Sequence, residues 1–194
     1  PPPPPPPPPP PRLFFKQTTA YESRRGLVGA EMCIRDRLEA AVWAPNHRNT
    51  EPWRFVVVRK NSEMKSLIAE GLVSLQENIS GIKLPEEHKQ RICDGVIASP
   101  TLIFVFSLTG DTDEITEENY GAVCCAIQNI QIVAESMDLS VGWSTGRMCK
   151  ISNLDEIFGT SKEELKIAGV LTIGYAKPIP DKTRINYEDL TKWF

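Results

Sequence analysis

One polar loop constrains the fold most, because prolines fix both of its ends. The segment Trp43–Phe55 reads Trp-Ala-Pro-Asn-His-Arg-Asn-Thr-Glu-Pro-Trp-Arg-Phe. Pro45 and Pro52 bracket six polar residues, and each proline fixes its own φ and disfavours helix at the residue before it. The sequence therefore predicts a helix that ends near Trp43 or Ala44 and a defined loop whose backbone N–H groups are free to meet a ligand. An apolar strand follows the loop.

An ordinary connection is the alternative interpretation of this loop, since Asn and Pro form turns and most loops only connect. His47 favours a binding role, because it is one of only two histidines and lies in the loop rather than on an apolar face.

A second candidate segment is Val141–Gly146, which reads Val-Gly-Trp-Ser-Thr-Gly. Glycines on both sides of a Trp-Ser-Thr core let a backbone approach a ligand closely. A strand that ends in a tight turn remains the alternative interpretation.

Hydrophobic periodicity predicts strands interleaved with helices. The predicted strands are Trp53–Arg59, Thr101–Leu108 and Ile167–Tyr175. The predicted helices are Ser62–Ser80, Pro85–Ala98, Glu117–Met137, Asn153–Phe158 and Ser161–Lys166, the last opened by a capping box. No Walker or Rossmann fingerprint is present. The pattern is typical of a mixed α/β or α+β fold.

The helix Glu117–Met137 is apolar over much of its circumference, which predicts burial, including burial between subunits. Cys124 and Cys125 fall within it, and a redox pair is the less favoured interpretation because adjacent helical residues point in different directions. Five irregularly spaced cysteines make neither a disulfide framework nor a zinc pattern, which favours a cytoplasmic protein with reduced thiols. The acidic stretch Asp111–Glu118 fits no EF-hand, so we expect a solvated loop and no metal.

Composition limits the partners. A net charge of −3 gives no reason to expect nucleic acid, and no apolar run approaches a membrane span of about 20 residues. We expect neither partner.

The first 37 residues differ in character from the rest of the chain. Pro1–Pro11 is an unbroken proline run, which at face value is a polyproline II linker or an SH3-type ligand. The text that follows lacks clear periodicity and is similar to translated sequencing-adapter sequence. We therefore expect residues 1–37 to be non-native or disordered, and residues 38–194 to form a domain that lacks its first helix.

The loop Ala44–Phe55 resembles the signature loop of the nitroreductase family of flavoenzymes, in the branch that reads Ala-Pro-Asp/Asn-His followed by Pro-Trp-Arg/His-Phe. Val141–Gly146 is similar to the family's Gly-x-Trp-x-Ser/Thr-Gly segment. The resemblance implies a homodimer with a central sheet flanked by helices. It also implies FMN as cofactor and NAD(P)H as co-substrate, with ping-pong transfer of electrons to nitro compounds, quinones or similar small-molecule acceptors.

The resemblance also implies the cofactor-binding positions. They are Trp43 and His47 in the first loop and Trp143, Ser144 and Thr145 in the second, with Asn46, Arg48 and Asn49 as neighbours. No catalytic side chain is expected, since a flavin carries its own redox chemistry. The family's Arg-Arg-Ser phosphate clamp has no assigned counterpart, because Ser23-Arg24-Arg25 is reversed in order and lies too near the loop.

Two other functions stay open at this point. One is a protein that binds or sequesters FMN without rapid turnover, and the other is a structural domain without a ligand. Fold resemblance alone does not separate them.

Overall fold

The computed structural model describes residues 26–175 and 183–194, with side chains from residue 34 onward. The chain divides into two compact units, Pro1–Arg35 and Asp36–Phe194. In the described residues the helices are α1 (Gly26–Ala41), α2 (Met64–Ser80), α3 (Glu86–Ala98), α4 (Asp113–Glu135) and α5 (Leu154–Phe158). The strands are β1 (Trp53–Val58), β2 (Thr101–Leu108), β3 (Ser140–Ser144) and β4 (Leu165–Gly174). The predicted mixed α+β class is confirmed.

The four strands form one antiparallel sheet in the order β1-β2-β4-β3. Strand β2 is central and is buried along nearly its whole length, as its continuous apolar run predicts. Strands β1 and β3 lie at opposite edges. Segments attached to these two edge strands are therefore separated by three inter-strand spacings, about 14 Å.

The two faces of the sheet are covered by different helices, because successive strand side chains point to opposite sides. Leu102, Phe104 and Phe106 of β2 pack in one core with residues of α2, α3 and α5. Ile103 and Val105, which are also fully buried, point to the other face. Helix α4 contacts all four strands and covers that second face.

A β-bulge in β4 changes which residues face which core. Val105 pairs with Gly169 and Phe106 pairs with Ile167, so Ala168 has no partner in the β2 register. Leu165 and Ile167 before the bulge pack on the α2 side, and Val170 after it packs on the same side. The extra residue thus reverses the alternation at one point in the strand.

Three predicted elements differ most from the structure. Helix α4 begins at Asp113 rather than Glu117, because Thr112 caps it by accepting the Ile115 N–H at 3.2 Å. The predicted helix Ser161–Lys166 is wrong. Glu164 N–H does donate to Ser161 Oγ at 3.3 Å, but only a turn forms before β4 begins and pairs with β2.

Helix α1 also begins earlier than predicted, at Gly26, whereas the sequence interpretation left residues before Leu38 outside the fold. Good helix formers such as Ala, Glu, Met and Arg extend it without a clean apolar stripe. Arg37, near its end, is only 1% exposed and donates to Met137 Sδ at 3.8 Å. The division of domains at residue 37 itself stays a prediction.

The C-terminal residues 183–194 contain a 3₁₀ turn, Tyr187–Leu190, and exposed aromatic side chains at Trp193 and Phe194. The segment that leads into these residues, 176–182, lies outside the described part of the chain. Throughout the described part of the chain, no helix combines the length and apolar character that a membrane crossing requires.

Candidate functional site

The loop between α1 and β1 is held in an unusual backbone conformation. Arg48, Asn49 and Glu51 have φ of 58°, 53° and 44°, in the left-handed region. Asn tolerates this region, but for other non-glycine residues it costs about 1–2 kcal/mol each. Such conformations persist only where surrounding contacts enforce them, and they concentrate at ligand sites. Specific contacts must therefore hold the loop in this conformation.

Side chains inside the loop and on α4 enforce this conformation. Asn46 Oδ1 accepts the Glu51 N–H at 3.0 Å, and this hydrogen bond joins the first and last residues of the polar segment. Thr50 Oγ1 donates to Asn119 Oδ1 of α4 at 2.8 Å. Asn119 is 4% exposed and also donates to Leu108 O at 3.1 Å, so its amide is fixed at both ends. Helix α4 thereby ties the loop to the central strand.

His47 projects from this loop and is paired on one side. Its Nδ1 lies 2.7 Å from Glu118 Oε1 of α4, while 60% of the side chain remains exposed. Trp43 is 82% exposed, which is high for an indole in a folded chain. Both side chains are thus available to a ligand or to another protein surface.

The second candidate segment ends β3, and its side chains point to both faces of the sheet. Trp143 Nε1 donates to the carbonyl of Ala168, the bulged residue of β4, at 3.2 Å. The Trp143 ring lies over Gly169, where an added Cβ would come within 2.2 Å of the indole nitrogen. Ser144 points to the other face, and Thr145 is exposed.

Ser144 lines a groove of about 340 Å³ on the α2 side of the sheet. Its Oγ also accepts the Gly146 N–H at 3.1 Å. The groove residues, drawn from α2, α3, β3, β4 and the 3₁₀ turn Arg147–Lys150, are Leu72, Gln76, Ile92, Ser144, Arg147, Met148, Val170 and Thr172. Trp143 and Ser144 therefore serve different faces, although they are neighbours in sequence.

The glycines of this segment have an internal packing role. An added Cβ on Gly142 would lie 2.7 Å from Thr172 Oγ1, so glycine is required for β3 to approach β4. Neither Gly142 nor Gly146 has a left-handed φ. The sequence predicts that these glycines let a ligand approach the backbone. In the structure, Gly142 lets β3 and β4 approach each other.

The two candidate segments lie at opposite edges of the sheet. Trp43, Asn46, His47, Arg48 and Asn49 precede edge strand β1, whereas Trp143, Ser144 and Thr145 end or follow edge strand β3. The first group lies together in one loop, whereas Trp143 and Ser144 of the second group point to opposite faces of the sheet. Helix α4 contacts both the 3₁₀ turn His47–Asn49 and β3, so the two groups border the same helix.

Sequence reasoning missed the α4 residues Glu118 and Asn119, which hold the loop. No distinct signal marked them, because Glu118 and Asn119 follow other polar residues, Asp113, Glu114, Thr116 and Glu117, at the start of the helix. Their partners His47 and Thr50 lie about 70 positions earlier, and no local pattern records such a contact.

A small polar cluster lies near the start of α4. Burial, and to a smaller extent the Cys124 side chain, raises the pKa of Tyr120. Burial also raises the pKa values of the Cys124 and Cys149 thiols. Lys166 Nζ lies 5.4 Å from the centre of the Tyr120 ring. Raised pKa values keep these thiols protonated, which lowers their reactivity as nucleophiles.

In the part of the chain that the structure describes, no three His, Cys, Asp or Glu side chains lie close enough together to hold a metal ion. The described cysteines are free. Ser23, Arg24 and Arg25, which were considered for a phosphate clamp, lie outside the described residues.

Comparison with known proteins places this architecture in a family. The model of the nitroreductase family matches residues 31–175. The chain therefore belongs to the nitroreductase family, as its loop sequence predicted.

Individual relatives are distant but cover most of the chain. A Bacillus subtilis protein that carries the name NAD(P)H nitroreductase YfhC is 27% identical over 148 residues, which span 76% of this chain and 75% of that protein. A nitroreductase-like family protein from Bacillus cereus superposes with a TM-score of 0.69 at 23% identity, covering 84% of both chains. A Desulfovibrio desulfuricans protein described as a nitroreductase, solved in complex with FMN, gives 0.61 at 20% identity and covers 83% of both.

Proposed function

We propose that the protein is an FMN-dependent oxidoreductase that passes electrons from NAD(P)H to nitro compounds, quinones or similar small acceptors by a ping-pong route. One observation carries the proposal. The loop that matches the family signature is held in left-handed backbone geometry at three non-glycine residues, with contacts from α4 that keep it there. Family membership and a relative solved with FMN support the cofactor.

FMN, when bound, supplies hydride acceptance and electron delivery, so the chain supplies binding and orientation. His47 and Trp43 offer an imidazole and an exposed indole to the ring system. Arg48, on the same loop, offers a guanidinium that stabilises negative charge on a reduced ligand. Asn46 keeps the loop closed through its side-chain oxygen, which accepts the Glu51 N–H, and its amide N–H groups can donate to the ligand. Asn49 is a neighbour in the same loop.

Trp143, Ser144 and Thr145 form the second half of the proposed site. The Trp143 indole N–H is used by Ala168, so this residue offers its exposed ring surface rather than a hydrogen bond. Because the two halves lie at opposite sheet edges of one protomer, a homodimer is part of the proposal, with one half from each copy.

Exposed apolar surface supports the homodimer. Ile132 on the outer side of α4 is 56% exposed, and Trp43 and Trp193 are 82% and 84% exposed. A twofold interface would cover such side chains on both copies at once. The free thiols fit a reducing compartment, so cytoplasmic location stays in the proposal.

A protein that binds FMN without rapid turnover is the second candidate function. Its support is that no side chain needs to act chemically, so the site geometry serves storage as well as catalysis. Anaerobic addition of NADH or NADPH to the FMN-loaded full chain distinguishes the two. Bleaching of the yellow colour, followed by its return with a quinone or nitro compound, supports the reductase. Stable colour supports storage.

Two substitutions test the site itself. His47→Ala should weaken FMN binding by about 0.5–1.5 kcal/mol, the value of one hydrogen bond. His88→Ala is the matched control, because His88 lies on α3 and faces Gln76 Nε2 at 3.4 Å. Equal FMN dissociation constants for the two variants would remove His47 from the site. Light scattering of the FMN-loaded chain should give a dimer, and a stable FMN-bound monomer would contradict the homodimer.

A further inference from the structure

Glu118 of α4 makes the closest polar contact to the His47 ring. Its Oε1 lies 2.7 Å from His47 Nδ1, and the carboxylate is itself partly shielded, with 28% of its side chain exposed. An ionised carboxylate only accepts hydrogen bonds, so the proton of this contact belongs to His47 Nδ1. This assignment fixes the opposite ring nitrogen, Nε2, as the atom without a proton in the neutral imidazole.

We infer that Glu118 is a positioning residue, which selects the Nδ1–H tautomer of His47 and presents Nε2 as an acceptor toward the ligand. The inference rests on the proposed function for the identity of the ligand, FMN. The acceptor would suit an N–H donor on the ligand, whereas the other tautomer would present a donor in the same place. A wrong tautomer at this position therefore reverses the polarity of the contact.

The neighbouring residue Asn119 holds the loop, so the orientation of the His47 ring and the stability of the loop depend on different residues. Its side-chain oxygen accepts from Thr50 Oγ1 at 2.8 Å and its amide N–H donates to Leu108 O at 3.1 Å, so these bonds hold the loop backbone and β2 rather than the His47 ring. Loss of the Glu118 carboxylate thus removes the ring partner and leaves the loop anchor in place. A role for Glu118 through His47 can therefore be distinguished from a general loosening of the loop.

The direct test is nitrogen-15 NMR of the full chain without FMN, in which only two histidines contribute. In the neutral form of the ring, wild-type His47 should show a protonated Nδ1 and an unprotonated Nε2. Glu118→Ala should shift His47 toward the Nε2–H form that imidazole prefers in water. Glu117→Ala is the matched control, since Glu117 is an exposed glutamate one position away and its loss changes net charge equally. An Nε2–H form in the wild type, or no shift in Glu118→Ala, would overturn the inference.

The second test is a double-mutant cycle on FMN binding. Glu118→Ala should weaken FMN binding by about two- to tenfold, the range for one neutral hydrogen bond, and Glu117→Ala should leave it unchanged. In a His47→Ala background, Glu118→Ala should have no further effect. An equal loss in both backgrounds would show that Glu118 acts independently of His47 and would overturn the positioning role. If the wild type binds no FMN, the proposed function fails, while the NMR result still decides what Glu118 does to His47.

Discussion

Replacing Gly169 with alanine should displace the Trp143 ring and lower stability. Gly169 has an ordinary φ, so alanine causes no backbone strain there. The added Cβ would lie 2.2 Å from Trp143 Nε1 and 2.6 Å from its Cδ1, closer than side-chain atoms approach. The ring must therefore move, and the 3.2 Å hydrogen bond to Ala168 O breaks.

The magnitude follows from how the ring can move. Trp143 is 38% exposed, so it can swing toward solvent instead of compressing the core. The lost hydrogen bond costs about 0.5–1.5 kcal/mol, and the lost contact or overpacking brings the total to about 1–3 kcal/mol. For a domain of this size that lowers Tm by roughly 2–12 °C.

Thermal unfolding and tryptophan fluorescence check this prediction. Gly95→Ala is the control, because Gly95 is exposed on α3 and an added Cβ meets nothing within 4 Å. That substitution should stabilise the helix by about 0.5–1 kcal/mol. A Gly169→Ala variant with wild-type Tm and unshifted fluorescence would refute the steric reasoning.

Two other predictions concern ionised groups at helix ends. Lys65 is 2% exposed and donates to Ile97 O and Ser99 O at the end of α3, so Lys65→Met should cost about 2–3 kcal/mol in urea unfolding. Burial, and to a smaller extent the charge of Lys60, lowers the pKa of Lys65 in the folded chain below its ordinary 10.5. At pH values between the folded and the unfolded pKa, the unfolded chain therefore binds more protons than the folded chain. The stability advantage of wild type over the variant should thus widen as pH rises toward 10.5, and a narrowing gap would contradict the burial argument. Glu77 accepts from Lys83 Nζ at 2.7 Å and Leu84 N–H at 2.9 Å, and these bonds lower its pKa below the usual 4.5. Glu77→Gln should therefore lower Tm above pH 4.5, with the difference shrinking as pH falls through the lowered pKa, and a pH-independent difference would exclude the charge as its cause.

Strongly local signals allowed several elements to be predicted from the sequence. Strand β2 was predicted with its observed bounds, because a continuous apolar run between Pro100 and a Thr-Gly turn has few alternatives. Helix α3 was predicted within one residue, because Pro85 starts it and Ser99-Pro100 stops it. Capping chemistry was less decisive. Ser161 formed its hydrogen bond without a helix, since pairing with β2 determines where β4 begins.

The candidate site was predictable in location but not in geometry. The loop with His47 was identified from its prolines and its resemblance to a family motif. Its left-handed residues were not, because Arg48 and Glu51 are not residue types that favour that conformation. The contacts with Glu118 and Asn119 depend on how α4 crosses the sheet, and sequence periodicity carries no information on that placement. The predicted cofactor contacts themselves remain predictions.

The unpaired Ala168 makes chain length matter more than residue identity in this part of the molecule. Deleting this single residue would let β4 pair regularly with β2. The pairs Phe106–Ile167 and Val105–Gly169 would then be consecutive, so Leu165 and Ile167 would keep the face they share with α2, and only the carbonyl that holds the Trp143 indole would be lost. Chain length at this position therefore determines how Trp143 is held, and it does not determine which core Leu165 and Ile167 join. An insertion or deletion elsewhere in β4 would move the residues on one side of it to the opposite face, so we expect length changes at Ala168 itself and in the turns on either side of the strand.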